Sequence, residues 1–191
     1  MSVFRSAIKN QIETLFRRYS ISNEEEVVTT IDNIVKCVSK SLIGSALVIM
    51  RQKKVLSLNW EVVNAAVQIE FAGTLRKYLR ERAYRNIENW ERGEDIRIVT
   101  QPEMVLSYIK PILDSSKVML VSKEYQGPES VRLYTDVSIY LATIVDYLIT
   151  ILLDAMTKEG SSSLNIKNLL ENLKTDRELA MLVLMCAKKI C

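Results

Sequence analysis

Apolar positions recur every three or four residues along most of the chain, the period of a helix face and not the alternation of a half-buried strand. Val27, Val28, Ile31, Ile34, Val35, Val38, Leu42, Ala46 and Ile49 predict one amphipathic helix of about 26 residues, hence about 40 Å long. Ser22 or Asn23 is its N-cap candidate, and Glu24, Glu25 and Glu26 fall in the first turn, where the helix dipole favours acids. A shorter helix precedes it on Phe4, Ile8, Ile12, Leu15 and Phe16. Another follows, opened by Asn59 and carrying Val62, Val63, Ala66, Val67 and, at its end, Phe71.

The second half repeats the plan. Pro102 sits where a first helical residue would be, and Met104, Val105, Tyr108, Ile109 and Leu113 mark a short helix that Pro111 is placed to bend. A connection through Gly127 and Pro128 leads to a long helix on Ile139, Leu141, Ile144, Val145, Leu148, Leu152 and Met156. The run Gly160 to Ser163 breaks the pattern, and a third helix carries Ile166, Leu169, Leu170 and Leu173. Short, long, short thus occurs twice in a chain that reads as all-α. The charged run Glu91 to Thr100, with Gly93 inside it, is the natural joint, so the expected division is 1–92, a linker at 93–101, and 102–191. A triplet of this kind covers only one side of its own long helix and needs a partner. Two triplets that cross their long helices within one chain satisfy each other; generic helix pairing is the alternative that periodicity leaves open.

Composition adjusts this picture. The chain has 191 residues, 48% of them apolar, which is ample for a buried core, and its 5 glycines and 3 prolines are few, as helices require. With 26 Lys+Arg against 23 Asp+Glu the net charge is only +3, so no large uniform field marks a nucleic-acid or membrane partner. The absence of histidine excludes a His-based triad, a His general base and any zinc site that needs imidazole. Cys37, Cys186 and Cys191 fit a reduced intracellular compartment, and two neighbouring thiols do not make a zinc site. Glu24 to Glu26 read as capping acids, because nothing brings a nucleophile near them. No enzyme, metal or other cofactor is expected. Met1 to Asn10 carries Arg5 and Lys9 but not the apolar stretch of a signal peptide. The longest apolar run, Ile139 to Leu153, is interrupted by Asp146 and bounded by Asp136 and Asp154, which fits a buried helix better than a membrane span.

Local sequence carries a more specific signal. The stretch Ser138 to Leu153, SIYLATIVDYLITILL, resembles the start of the long helix of histone 2A, including its Tyr-Leu-Ala and the acid-Tyr-Leu that follows. Leu164 to Leu182, LNIKNLLENLKTDRELAML, is similar to that family's third helix and the acidic turn after it. In the first half, Ala72 to Tyr78, AGTLRKY, resembles the start of the C-terminal helix peculiar to histone 2B, and Gly44 and Ala65 to Val67 fit that family too. The order 2B then 2A in one chain resembles the fused histone doublets of Marseillevirus-type giant DNA viruses, over about Val3 to Val183. The resemblance implies two histone folds paired as an intramolecular handshake dimer, with an extra C-terminal helix on the first fold. It implies double-stranded DNA as partner, wrapped in a nucleosome-like particle with a histone 4–histone 3 counterpart, in the viral factory and virion, with no membrane and no small-molecule substrate.

In such a particle phosphate contacts fall at loop pairs and helix ends, arginines enter the minor groove, and no base is read. By resemblance, Arg132 sits where the family places a minor-groove arginine. Lys53 and Lys54 lie at the second loop of the 2B-like half, Arg17 and Arg18 end its first helix, and Lys110, Lys117 and Lys123 surround the first loop of the other half. Two anchors depart from the pattern: Ser161 to Ser163 and Val55 stand where arginines are expected. Of the family's acidic patch, Asp146, Asp154, Asp176 and Glu178 remain, interrupted by Ile151 and Arg177, with Thr74 and Arg82 in place of the 2B-type acids. No long Lys-rich tail precedes Val3, so the chain reads as a tail-less doublet. Arg76, Lys77, Arg80, Arg82, Arg85 and Arg92 make a net basic helix against Glu81, Glu88 and Glu91. An outer helix whose Tyr78, Tyr84 and Trp90 pack on the domain beneath is preferred to direct DNA contact, and Trp60 reads as a packing residue. The excess charge lies entirely in residues 1–95, with 15 basic and 12 acidic groups, whereas residues 96–191 carry 11 of each. A histone-fold interaction module with little DNA contact, as in transcription-factor heterodimers, is the alternative. A helical scaffold unrelated to histones would lack a crossed pair of long helices.

Overall fold

The computed structural model describes residues 4–55, 57–120, 132–157 and 163–187. The first half runs α1 (Arg5–Leu15), β1 (Ser20–Ile21), α2 (Glu24–Lys53), β2 (Ser57–Leu58), α3 (Trp60–Glu70) and α4 (Gly73–Glu91). The second runs α5 (Pro102–Leu120), β3 (Arg132–Leu133), α6 (Thr135–Ala155), β4 (Ser163–Leu164), α7 (Ile166–Asn172) and α8 (Arg177–Ala187). The chain is all-α apart from four two-residue strands among the described residues.

Capping chemistry explains where the helices begin and end. Asn23 accepts the Glu26 amide at 3.3 Å, Glu24 to Glu26 occupy the positive end of α2, and Arg51 and Lys53 occupy its negative end. Lys54 then closes the helix in the left-handed region at φ 55°. Asn59 and Asn165 cap α3 and α7 in the same way, accepting the amides of Val62 at 3.0 Å and Asn168 at 2.9 Å. At 30 residues, α2 is about 45 Å long, and α6, at 21 residues, is about 32 Å.

The four short strands fix how the halves meet. β1 pairs in parallel with β4, Ser20 opposite Ser163, and β2 pairs in parallel with β3, Ser57 opposite Arg132. Since β1 precedes α2 and β4 follows α6, the start of α2 lies beside the end of α6. The second pairing puts the end of α2 beside the start of α6. Each half thus lends one loop to each end of the other, and the two long helices cross in opposite directions. A single core results. Val35, Val38, Leu42 and Ala46 of α2 are buried in the same cluster as Ile144, Leu148 and Leu152 of α6. By length and composition α2 and α6 could each cross a membrane, but their most apolar stretches are 56% and 78% buried within the protein.

The outer helices extend the exchange. α4, from the first half, packs on α6, and α8, from the second, packs on α2. The two begin side by side. Gly73 opens α4 at φ +58°, and Glu178 of α8 accepts the Thr74 and Leu75 amides at 2.7 and 2.8 Å, filling the role of an N-cap that Ala72 cannot supply. Gly73 has a second reason to be glycine, since a Cβ there would collide with the Glu178 carboxylate.

Two elements depart from the sequence expectation. α5 is 19 residues long and not short, and it continues through Pro111. Pro111 denies a hydrogen bond only to the carbonyl four residues back, on Ser107, which is exposed. The other departure is α8, which hydrophobic spacing did not separate from α7; Asp176 caps it by accepting the Leu179 amide at 3.0 Å.

Between α4 and α5 the joint is pinned at one point. Asp146, 3% exposed, accepts the amides of Val99 and Thr100 at 3.0 Å each and the Thr100 hydroxyl at 3.2 Å. Gln11 of α1, also buried, donates to the same oxygen at 2.8 Å and to the Asp146 carbonyl at 2.9 Å. This acid was expected on an acidic surface patch; it is a buried residue whose carboxylate accepts from donors of both halves and the joint. We expect Asp146→Ala to strand these donors and cost about 3 kcal/mol or more, against about 1 kcal/mol for Thr100→Val. Urea denaturation of the two variants measures the difference, and equal losses would refute the role of the carboxylate.

Candidate nucleic-acid interface

The crossed pairing gathers the basic candidates at two ends. At the end formed by β1 and β4, Arg17 and Arg18 are exposed in the turn after α1, not within the helix, which stops at Leu15. The Arg18 guanidinium lies over the Tyr19 ring, 5.2 Å from its centroid, and Tyr19 leans on buried Phe16 at 6.0 Å. That stacking holds a long side chain in place and lowers the entropy lost on meeting a phosphate. Ser163 is paired at this end, while Ser161 and Ser162 lie outside the described residues.

At the other end, Lys53 and Lys54 are exposed where α2 closes, beside the backbone of Arg132 in β3. Arg51 is exposed in the same last turn of α2 and belongs with them. Sequence reasoning passed it over, although a basic residue in a final helical turn next to Lys53 and Lys54 is a readable signal. The side chains of Arg132 and Lys117 and the whole of Lys123 lie outside the described residues; Lys110 is exposed on α5. Asp136 occupies the helix starts at this end, accepting the Trp60 amide of α3 at 3.4 Å and the Val137 amide of α6 at 2.7 Å. These helix starts are therefore already matched by an acid, and the positive character here comes from side chains.

Between the two ends, the first turns of α1 and α5 meet. Phe4 and Tyr108 stack edge to face at 5.2 Å, and the Ser6 hydroxyl donates to the Met104 sulfur at 3.8 Å. The bases here are neutralised: Arg5 pairs with Glu25 and Lys9 with Glu24 at 3.2 Å. The hydrogen bond between them pushes the Arg5 pKa up and the Glu25 pKa down. The molecule therefore offers two basic ends, separated along α2 by about 45 Å, with a charge-balanced middle.

The opposite, acidic candidates divide. Asp154, Asp176 and Glu178 come together around a groove of about 510 Å³ between α4, α6 and the start of α8, lined also by Thr74, Tyr78 and Tyr147. Asp146 is not among them. Glu178 and Asp176 are already engaged by backbone amides, and Arg82 lies over the Tyr147 ring at 5.6 Å, so the groove is far from a bare anionic patch. On the far flank of α4, Trp60 stacks on Tyr140 at 6.1 Å and meets Tyr84 edge to face at 5.7 Å. Asn64 accepts both the Tyr140 hydroxyl at 2.9 Å and the Arg80 Nε at 2.8 Å. Burial raises the Tyr140 pKa, so its hydroxyl stays a donor. Trp60 is a packing residue, as its sequence position implied, while Tyr78 and Trp90 remain exposed. Among the described residues no three acidic or cysteine side chains are placed to hold a metal ion.

Burial pushes the Asp154 pKa up, so its charge is a liability in the folded state. The folded carboxyl holds its proton to higher pH than the unfolded one, and the penalty grows as pH rises through that interval. We expect Asp154→Asn to raise Tm by about 1 °C at pH 7 and to lose that advantage below the ordinary carboxylate range. Thermal melts at pH 7 and pH 3 measure this; an advantage that persists at low pH would assign it to packing.

No protein-family model matches the chain and no curated protein is similar to it, so what the protein does has to be read from its own residues.

Proposed function

We propose that the protein is a fused histone doublet, a 2B-like fold followed by a 2A-like fold, that packages DNA in a nucleosome-like particle of a Marseillevirus-type giant virus. The observation that carries this reading is the crossed loop pairing, β1 with β4 and β2 with β3, around two antiparallel long helices. That arrangement supports the handshake that the sequence resemblance implies, and a separate helix α4 after α3 supports the 2B-type extra helix. Spacing adds to it. Long helices of about 32 and 45 Å separate the loop pairs, and a duplex turns its minor groove inward every ~10.2 base pairs, about 35 Å. Two basic ends at this separation suit successive inward-facing grooves on one duplex.

The working partners are double-stranded DNA, gripped through phosphates without base reading, and a histone 4–histone 3 counterpart. The α2–α3 elbow supports the second: Val48 is 55% and Ile69 67% exposed, an apolar face of the kind that marks a protein interface. The setting is intracellular, in the viral factory and the virion. A second reading, an interaction module with little DNA contact, draws on the charge-balanced middle, where Arg5 and Lys9 are matched by Glu25 and Glu24.

Reconstitution with the counterpart doublet on DNA, followed by micrococcal nuclease digestion, separates these. The packaging reading expects protected fragments shorter than the ~146 base pairs of a cellular octamer, because two loop arginines are replaced. It also expects affinity to fall steeply with salt, and Lys53→Ala with Lys54→Ala to flatten the log–log slope by about 2. A chain that neither shifts DNA at low salt nor joins the counterpart is an interaction module for some other partner.

A further inference from the structure

A second groove, of about 680 Å³, lies between α4 and the joint, and neither the core nor the proposed DNA contacts use it. Tyr78, Arg82, Arg85 and Asn89 form one wall, recurring every three or four residues along a single flank of α4. Glu94, Asp95 and Arg97 of the joint form the other. The chain turns back to build that wall at Gly93, φ +71°, where the Gly93 amide donates to the Trp90 carbonyl at 3.0 Å and the Glu94 amide to the Asn89 carbonyl at 2.8 Å. Asp146 anchors the far end of the joint through Val99 and Thr100. Among the described residues Arg82, Arg85 and Arg97 take part in no ion pair, and Arg82 is steadied over the Tyr147 ring. Asn86 also lines the groove; it is 7% exposed and donates its side-chain amide to the Thr143 hydroxyl oxygen at 2.9 Å. The Thr143 proton is already given to the Ile139 carbonyl at 2.8 Å, so Thr143 must accept from Asn86 and not donate to it. The Asn86 carbonyl oxygen is the atom left over, and among the described residues nothing donates to it. A ligand that brings a donor removes the cost of that buried acceptor.

We propose that this groove binds a short acidic peptide segment of a partner protein, with carboxylates on the arginines and a main-chain N–H on the Asn86 carbonyl oxygen. The combination of needs selects the ligand class. Guanidinium groups pair best with carboxylate or phosphate, which they grip through two parallel hydrogen bonds. A simple oxyanion satisfies them but carries no N–H for Asn86, and the DNA backbone likewise offers only acceptors to a protein. A peptide brings both. Its remaining N–H groups suit Glu94 and Asp95, which repel a polyphosphate, while Glu81 is matched by Lys77 at 3.9 Å. Length is limited as well. Tyr78 and Tyr147 also line the acidic groove, so a long polyanion leaving the arginines would run onto Asp154 and Asp176, whereas a short acidic segment stops before them. The volume lies within the range of compact ligand sites. This assignment holds whether or not the chain packages DNA.

The test titrates the full-length chain into a fluorescein-labelled peptide of alternating Glu and Gly and reads fluorescence polarisation. Saturable binding is expected, weakened about tenfold or more by Arg85→Glu and by Arg97→Glu, and unchanged by Lys53→Ala with Lys54→Ala. Arg85 and Arg97 are exposed, so both variants should keep the far-ultraviolet circular dichroism of the wild type. A probe whose main-chain amides are replaced by esters should bind more weakly than the amide probe, because it has no N–H for Asn86. Absence of saturable binding overturns the proposal, as does a loss of binding in the Lys53 and Lys54 variant. Equal affinity for the ester and amide probes would mean an oxyanion site that does not read a peptide. If Arg85→Glu and Arg97→Glu weaken binding of duplex DNA as much as binding of the probe, the groove is a nucleic-acid contact and the peptide assignment fails.

Discussion

Everything in this molecule follows from a helix that cannot be buried by its own neighbours in sequence. α6 is apolar on nearly every side, and Tyr140, Leu141, Ile144, Val145, Leu148, Ile149 and Leu152 are each at most 2% exposed. Each such side chain contributes about 1.5 to 3 kcal/mol when taken out of water, but α5 and α7 can cover only part of the circumference. The rest comes from the first half: α1, α2, α3 and α4 all pack on α6. The two halves share one core, and the covalent joint supplies the second half at high effective concentration to the first.

The crossing that buries α6 also arranges the charge. Because each end of the molecule is built from one loop of each half, segments distant in sequence, such as the end of α2 with Lys53 and Lys54 and the β3 segment, come to the same end of the fold. Lysines and arginines at the ends of long helices are set apart by the length of those helices, whereas the bases of α1 face the acids that open α2 and are cancelled. The same acids that cap α2 thus silence the middle of the basic face. Helix capping and the distribution of surface charge are one choice here, and it explains how a chain with an excess of only +3 can present two positive ends.

Much of this was legible in the sequence because it depends on local rules. The period of Val27 to Ile49, the caps Asn23 and Asn59 and the acids of the first turn are written within a few residues of where they act. What was not legible depends on partners far along the chain. Asp146 was expected on a surface patch only because the histone resemblance carries an acidic patch to that position. Its burial is set by the amides of Val99 and Thr100, 47 and 46 positions away, and by Gln11. Glu178 was expected as an exposed anion and is instead the cap of a helix more than a hundred positions upstream. α8 escaped notice because Leu179 to Ala187 is apolar on all faces, so no amphipathic period marks its start. Arg132, Lys117 and Lys123 stand on resemblance alone for what their side chains touch.

The engagement of these acids explains a feature of the candidate interface. A patch that recruits basic segments needs carboxylates with free lone pairs, since each must exchange water for a cation at little cost. Here Asp146 is spent on holding the joint, Glu178 on starting α4 and Asp176 on starting α8, so three of four acids already serve backbone amides. Only Asp154 is unengaged by such amides, and burial raises the cost of its charge. A chain whose two halves share one core needs its joint fixed, and two outer helices that begin side by side need a shared cap. The carboxylates nearest those points were taken for both purposes. The weakness of the acidic groove is therefore a consequence of the architecture that joins the halves, and an added acid at Ile151, which lines the groove but takes no part in either anchor, would raise the charge there.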